Sequence, residues 1–358
     1  MPRWFKRRIL AAPLVLSLIG LAACSSSSAS GAAGCSSSSP AASPVVTLAA
    51  YSNPYLAYGK LISTWQSEWK DAHDGQLVQF LTSFGGSTTQ AQSIINGLQA
   101  DIYASSTAPD VQLVQDAGLI TNDWQNALEG STVQSGSVVF AVRPGNPKHI
   151  ENWNDLTQPG LQILTPDPAQ SGGARWNIVA AYGAAMRGEV PGYAKNNPAD
   201  AQRLLEGIFK NVTVMDKSAN DSLKNFEAGN GDVAITYDYQ VATSQAAGGE
   251  EELVEPPSTV QIRTPTVVVD KNAEAHCVED IANEFVKYLH SKEAQDIFAS
   301  TAYTRPIDTA QAAKATDTLP AVKDLFTTDD IGGWDALVND TVFGPNGAFT
   351  LAFQAAQG

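Results

Sequence analysis

Cysteine, histidine and positive charge are all in short supply. Three cysteines, at 24, 35 and 277, are spread over 358 residues; they cannot build a disulfide framework, and Cys277 has no cluster of ligand types around it in sequence. The four histidines, at 73, 149, 276 and 290, stand apart from one another and from any nucleophile motif. G-x-S-x-G, H-E-x-x-H, C-x-x-C and the Walker A pattern do not occur, which argues against a hydrolase, a metalloprotease, a redox dithiol and a nucleotide triphosphatase. Lys plus Arg is 22 against 37 Asp plus Glu, a net charge of -15. Four of those cations (Arg3, Lys6, Arg7, Arg8) lie in the first eight residues, so the rest is more acidic still. Such a chain has no electrostatic footprint for nucleic acid, and it gains nothing from long-range steering of an anion. No apolar run reaches the length of a membrane span. With 43% hydrophobic residues the chain is nevertheless rich enough to bury a core, and its length predicts about two domains.

The amino terminus reads as an address. Basic M-P-R-W-F-K-R-R precedes an apolar run from Ile9 to Leu21, which ends in Leu21-Ala22-Ala23-Cys24. The arrangement is that of an export signal (1–23) with a small-residue cleavage site placed before a cysteine, and it resembles the bacterial lipobox, in which that cysteine is lipidated. Residues 24–44 are almost entirely Ser, Ala, Gly and Pro, a tether that cannot form a core. Cys35 within it reads as incidental, or as an occasional partner for another thiol. The expectation is a domain held at the outer face of a membrane by acyl chains on Cys24.

From Val45 onward, short β-rich runs alternate with amphipathic stretches. Strands are expected at 45–50, 77–81, 137–142, 161–166, 212–215, 232–237 and 264–270. Helices are expected at 56–70, 87–98, 171–187, 201–209, 281–289 and 294–300, from apolar residues recurring at i, i+3, i+4 and i+7. The alternation predicts α/β architecture with mostly parallel sheets.

The informative feature is what precedes the helices. Asn53-Pro54 reads as a cap followed by a first-turn proline. Gly85-Gly86-Ser87, Ser171-Gly172-Gly173 and Ser218-Ala219-Asn220-Asp221 each follow an expected strand and open an expected helix. Such loops are also ordinary turns. Their repetition at strand ends, however, points to one crevice, because ligands of open α/β sheets bind at the carboxyl ends of strands. The first N–H groups of each helix are unsatisfied there, and glycine lets an oxyanion approach them. Each helix start acts as roughly +0.5 charge, so four aimed at one point would offset about two negative charges. A dianion could then be held without Lys or Arg.

At these residues the chain resembles the sulfate/thiosulfate-binding proteins of bacterial ABC importers. The likeness runs from about 46 to 343. It is most specific at T-P-D-P (165–168) with S-G-G-A-R-W-N (171–177). It continues in F-G-G-S-T-T-Q (84–90), I-I-N-G-L-Q-A-D (94–101), V-R-P-G-N-P-K-H-I-E-N-W-N-D-L (142–156), T-P-T-V-V-V-D (264–270), Y-T-R-P (303–306) and G-G-W (332–334). The resemblance implies a two-lobed, type II periplasmic-binding fold with hinge strands and an interlobe cleft. Lobe one would comprise 45–140 and 259–358, with C-terminal helices free to pack across, and lobe two 141–258. It implies that Ser171 gives its hydroxyl, and that Asn53, Ser87, Gly172, Gly173 and Ala219 give backbone N–H groups. Tyr237 would donate where the family has a Trp. Asn53 replaces a family Asp, and Asn220 a family Arg. The implied partners are a sulfate or thiosulfate anion and membrane permease subunits, with no cofactor, no metal, no catalysis and a monomeric receptor; another oxyanion such as molybdate or phosphate, or a small organic anion, is the alternative ligand. Sulfate carries no proton at neutral pH, whereas hydrogen phosphate would bring a proton into a ring of donors and leave it unpaired, at about 1–3 kcal/mol or more.

Overall fold

The computed structural model describes residues 43–305, 307, 319 and 321–357. The export signal, Cys24 and Cys35 lie outside the described residues. The elements run β1 (Val45–Tyr51), α1 (Tyr55–Ala72), β2 (Gln79–Gly85), α2 (Ser87–Ile95), β3 (Ile102–Ala104), α3 (Ala108–Asp116), β4 (Thr132–Val142), β5 (Ile163–Pro166), α4 (Gly172–Arg187), α5 (Pro198–Lys210), β6 (Val212–Asp216), α6 (Ala219–Glu227), β7 (Val233–Tyr237), α7 (Asp238–Ala246), β8 (Glu252–Val254), β9 (Ser258–Val268), α8 (Asp270–Ala275), α9 (Glu279–Tyr288), α10 (Lys292–Thr301) and β10 (Asp324–Phe326), with a last helix at Ala348–Gln357.

Strand order is β2-β1-β3-β9-β4-β7-β5-β6. The two ends of this path are parallel triplets: β1 runs parallel to β2 and β3, and β5 parallel to β6 and β7. Between them lie the two 11-residue strands β4 and β9. They pair antiparallel with each other over Thr132–Ser137, after which β4 pairs with β7 from Val138 onward. At its other end β9 pairs with β3. Each long strand therefore belongs to both lobes, and the change of partner at Ser137–Val138 marks the hinge.

Each lobe is built around its own core. In the first, the expected helix face is realised: Leu61, Ile62, Trp65 and Trp69 of α1 are buried, and Trp65 meets Phe285 of α9 edge-on at 5.4 Å. In the second, α4 is covered on nearly every side and buries Trp176 and Ile178, which is why it is apolar around its circumference rather than striped. The last helix lies against α5, with Phe209 5.0 Å from Phe349; β10 pairs with β9 at Ser258–Val260, and Arg187 at the end of α4 holds Asp324 at 2.6 Å. The last helix and β10 thus pack with the second lobe, while Trp334, Asp335 and Val338 also line a groove with Ala108 and Leu113 of the first.

Three local expectations change. Pro54, not Asn53, occupies the cap position of α1, and no side chain caps that helix. Strand β2 starts two residues later than expected and runs straight to Gly85, so the Gly-Gly-Ser turn joins strand to helix with no intervening loop. Strands β3, β8 and β10 have three residues each, too few for an alternation to be visible in sequence.

An ionic cluster sits beside the hinge. Arg305 pairs its backbone with Ser135 of β4 and its guanidinium with Asp238 at 2.8 Å and Glu255 at 3.8 Å. Ser137 donates to both carboxylates. Burial pushes Glu255 up to about 7, helped by Asp238 and opposed by Arg305 and Ser137. Because the folded value lies above the unfolded one, the stabilisation linked to this group is full below about pH 4.5 and is lost as pH rises to about 7, up to about 3 kcal/mol for a shift of this size. Denaturant titrations from pH 4.5 to 8 are therefore expected to give a Glu255→Gln variant a flatter pH profile than the parent, with its largest relative gain at pH 8. Parallel profiles would contradict this.

Candidate functional site

The carboxyl ends of β1, β2, β5, β6 and β7 converge on one small cavity between the lobes. It is narrow, with a cavity volume of about 10 Å³, about the room one water needs. Of the residues expected from sequence, Asn53, Ser87, Ser171, Gly173, Ala219 and Tyr237 line it. Gly172 does not; it stands just behind, with its N–H directed at Ser87 Oγ, 3.2 Å away. Helices α1, α2, α4 and α6 start here as expected. A fifth, α7, starts at Tyr237 itself, which holds its cap position. Among the described residues, the lining contains neither a carboxylate nor a basic side chain.

Glycine allows this packing. A Cβ on Gly173 would lie 3.1–3.3 Å from Ala219 Cβ, Ser171 Oγ and Tyr237 OH, and would intrude on the residues it brings together. Gly86, from the first lobe, faces main-chain carbonyls of the second: a Cβ there would sit 2.7 Å from the Lys217 oxygen and closer still to that of Gln170.

The lobes are drawn together around the cavity by a short set of polar contacts. Thr89 N donates to Gln170 O at 3.1 Å. Trp176 Nε1 donates to Ser106 O at 2.7 Å, and the Ser106 and Tyr237 hydroxyls lie 2.9 Å apart. Behind Ser87, the fully buried Asp110 accepts from Ser87 Oγ at 2.6 Å, Thr88 Oγ1 at 2.9 Å and Arg175 Nη1 at 3.2 Å. Asp110 is on α3 of the first lobe and Arg175 on α4 of the second, so this buried pair crosses the cleft. A buried carboxylate left without its cation is strongly destabilising.

Tyr237 is a neutral phenol across the physiological range. Burial pushes its titration far up, Asp110 and Tyr51 push the same way, and the Ser106 hydrogen bond opposes them. It can therefore donate as expected of it. Asn220, in place of the family Arg, is outside the lining.

Sequence reading missed Ser106, Asp110 and Arg175. The signal for Ser106 was present: Ser105-Ser106-Thr107-Ala108-Pro109 is a further strand-to-helix junction, with Thr107 at the cap and proline in the first turn. The three-residue β3 before it hid the pattern. The roomier groove beside Arg143 is not a rival anion site. Glu227, Glu250 and Glu251 line it, and Arg143 is engaged by the carbonyls of Phe226, Asn230 and Gly231.

Two α/β lobes strung on a pair of crossing strands, with a small cavity ringed by helix starts, define a solute receptor of the type II periplasmic-binding class. A family model for bacterial extracellular solute-binding proteins matches residues 46–304. A sulfate-binding protein of Synechococcus elongatus is 33% identical over 359 residues, 99% of each chain. One from Salmonella typhimurium is 39% identical over 285 residues, 78% of this chain and 83% of that one. The solved structure of the sulfate-binding protein SubI from Mycobacterium tuberculosis H37Rv matches with a TM-score of 0.73 at 30% identity, covering 84% of this chain and 99% of that one. The chain belongs to the bacterial extracellular solute-binding protein family.

A Gly86→Ala substitution is expected to leave the melting temperature of the unliganded protein within a few degrees of the parent while weakening anion binding by at least about tenfold, or 1.4 kcal/mol, because the added methyl opposes closure. Calorimetry and thermal unfolding on the same sample read the two effects separately; unchanged affinity would remove Gly86 from the closing surface.

Proposed function

We propose that this protein captures sulfate or thiosulfate outside the cytoplasm and hands it to an ABC-type permease, held near the membrane as a monomer by a lipid on Cys24 and the tether that follows. The anion lies in the interlobe cavity. Ser171 donates its hydroxyl, Tyr237 its phenol, and Asn53, Ser87, Gly173 and Ala219 their backbone N–H groups. Gly172 joins them by turning its N–H from Ser87 Oγ to the anion. The observation carrying this reading is a lining of helix-start amides and hydroxyls without a carboxylate. Oriented N–H groups satisfy a fully ionised tetrahedral anion, and within each lobe the helix that carries them fixes their direction.

The mechanism is hinge closure. Bending at the β4–β9 pair brings Ser87 and Asn53 toward Ser171, Ala219 and Tyr237, which removes water from the anion and completes its hydrogen bonds. The Asp110–Arg175 pair forms in the same movement and favours the closed state. Opening reverses both and releases the anion.

The arrangement gives catalysis no foothold. His73 stacks on Trp69 at 3.6 Å, His276 pairs with Asp101 at 2.6 Å, and none of the four histidines lines the cavity. Ser171 has no hydrogen-bonded base among the described residues, and the one carboxylate that accepts from Ser87, Asp110, is also engaged by Thr88 and Arg175 and lies outside the cavity lining.

Titration calorimetry of the folded unit with sulfate, thiosulfate, molybdate and phosphate tests the reading. Sulfate or thiosulfate is expected to bind most tightly, and Ser171→Ala to weaken that binding by about 1–3 kcal/mol, the range for a hydrogen bond to a charged group. An unaltered dissociation constant would take Ser171 out of the site. Tighter binding of molybdate would reassign the receptor.

A further inference from the structure

The hydroxyls that line the cavity are not equivalent. Tyr51 donates to Gln134 Oε1 at 2.6 Å. Ser87 donates to Asp110 Oδ2 at 2.6 Å and accepts from Gly172 N. Ser218 donates to Asp221 Oδ2 at 2.7 Å and accepts from Asp221 N. In each of these short bonds the partner is a carboxylate or amide oxygen, which cannot donate, so the direction is fixed; Tyr51 has in addition a longer 3.4 Å contact with the Tyr239 hydroxyl, in which either can donate. Ser106 and Tyr237 differ. Their oxygens are 2.9 Å apart, either can be the donor, both side chains are buried and both face the cavity. They come from opposite lobes, so the pair exists only when the cleft is closed.

Two hydroxyls sharing one hydrogen bond leave one proton over. If Ser106 donates to Tyr237, the phenol points its proton at the anion; if Tyr237 donates to Ser106, the serine does. Both states serve sulfate. A singly protonated tetrahedral dianion presents one further need, an acceptor for its own O–H. Backbone N–H groups cannot meet it. The pair can: the ligand O–H donates to the Tyr237 oxygen, the phenol donates to Ser106, and Ser106 donates to another oxygen of the same anion. Every proton then has an acceptor. Ser171 forms no comparable relay, because its hydroxyl has no second hydroxyl within hydrogen-bond reach among the described residues.

We infer that Ser106 and Tyr237 form a reversible hydrogen-bond relay that sets the selectivity of this site, admitting a singly protonated tetrahedral dianion of the hydrogen phosphate class alongside sulfate. The inference rests on the anion site proposed above. It makes Ser106 a specificity-determining residue, and it narrows the penalty against a protonated ligand that a ring of pure donors would impose.

The test is calorimetry with sulfate and with inorganic phosphate at about pH 8, where phosphate carries mainly one proton and sulfate none. The parent protein is expected to bind phosphate within about a hundredfold of its sulfate affinity. Ser106→Ala and Tyr237→Phe should each weaken phosphate binding at least about tenfold more than sulfate binding, the factor that one lost hydrogen bond of about 1.4 kcal/mol carries. Ser106→Thr, which keeps the hydroxyl, should restore the parental ratio. Melting temperatures establish that each variant is folded, and either of the two deletions suffices if the other is not. Undetectable phosphate binding to the parent at about 20 mM, or a phosphate-to-sulfate ratio that neither deletion changes, would overturn the relay and leave the sulfate site standing. A parent that binds neither anion would bring down both.

Discussion

An acidic protein can hold an acidic ligand only if local dipoles outweigh its net charge, and the rest of this molecule is arranged around that constraint. Surface carboxylates act through water and are screened within about 10 Å. Main-chain N–H groups at a helix start act across a single hydrogen bond in a small cavity, where little water intervenes. Six helix starts reach the same cavity, each delivered by a strand end, and among the described residues the lining holds no carboxylate. The acidity of the chain is therefore compatible with anion capture, because none of the described acidic residues lines the cavity.

In the proposed site, backbone donors make the binding surface depend on lobe position more than on side-chain identity. An N–H group cannot reach; it has to be carried to the ligand by its helix. That requirement explains the glycines at Gly86 and Gly173, where any side chain would hold the surfaces apart, and it explains the interlobe contacts just outside the cavity. Asp110 receives hydroxyls from its own lobe and a guanidinium from the other, so its full satisfaction depends on closure. The hinge beside Arg305, Asp238 and Glu255 adds a charge network next to α7, the helix that begins at Tyr237.

Much of this was legible before any coordinates. The strand-turn-helix junctions at 85–87, 171–173 and 218–221 carry their own signal, because glycine, serine and caps at a helix start are dictated locally by unsatisfied N–H groups. Buried faces such as Leu61–Trp65–Trp69 follow from periodicity. What failed did so for lack of length or through displaced caps. Three-residue strands show no alternation, Pro54 displaced Asn53 from the cap, and β3 concealed the junction that carries Ser106. Gly172 has a different lesson: its place in the motif matches the family, yet its N–H is turned to Ser87 Oγ.

The sequence by itself determined the α/β alternation, the chemistry of the helix starts, the scarcity of catalytic groups and the family to which the chain belongs. These are properties of residues a few positions apart, set by backbone sterics and hydrogen-bond supply. Tertiary structure alone decided that the junctions share one cavity, that Asp110 meets Arg175 across 65 residues of chain, and that Ser106 faces Tyr237 across 131. Partners so far apart are joined only by how two lobes close on β4 and β9, and local propensity carries no record of that closure.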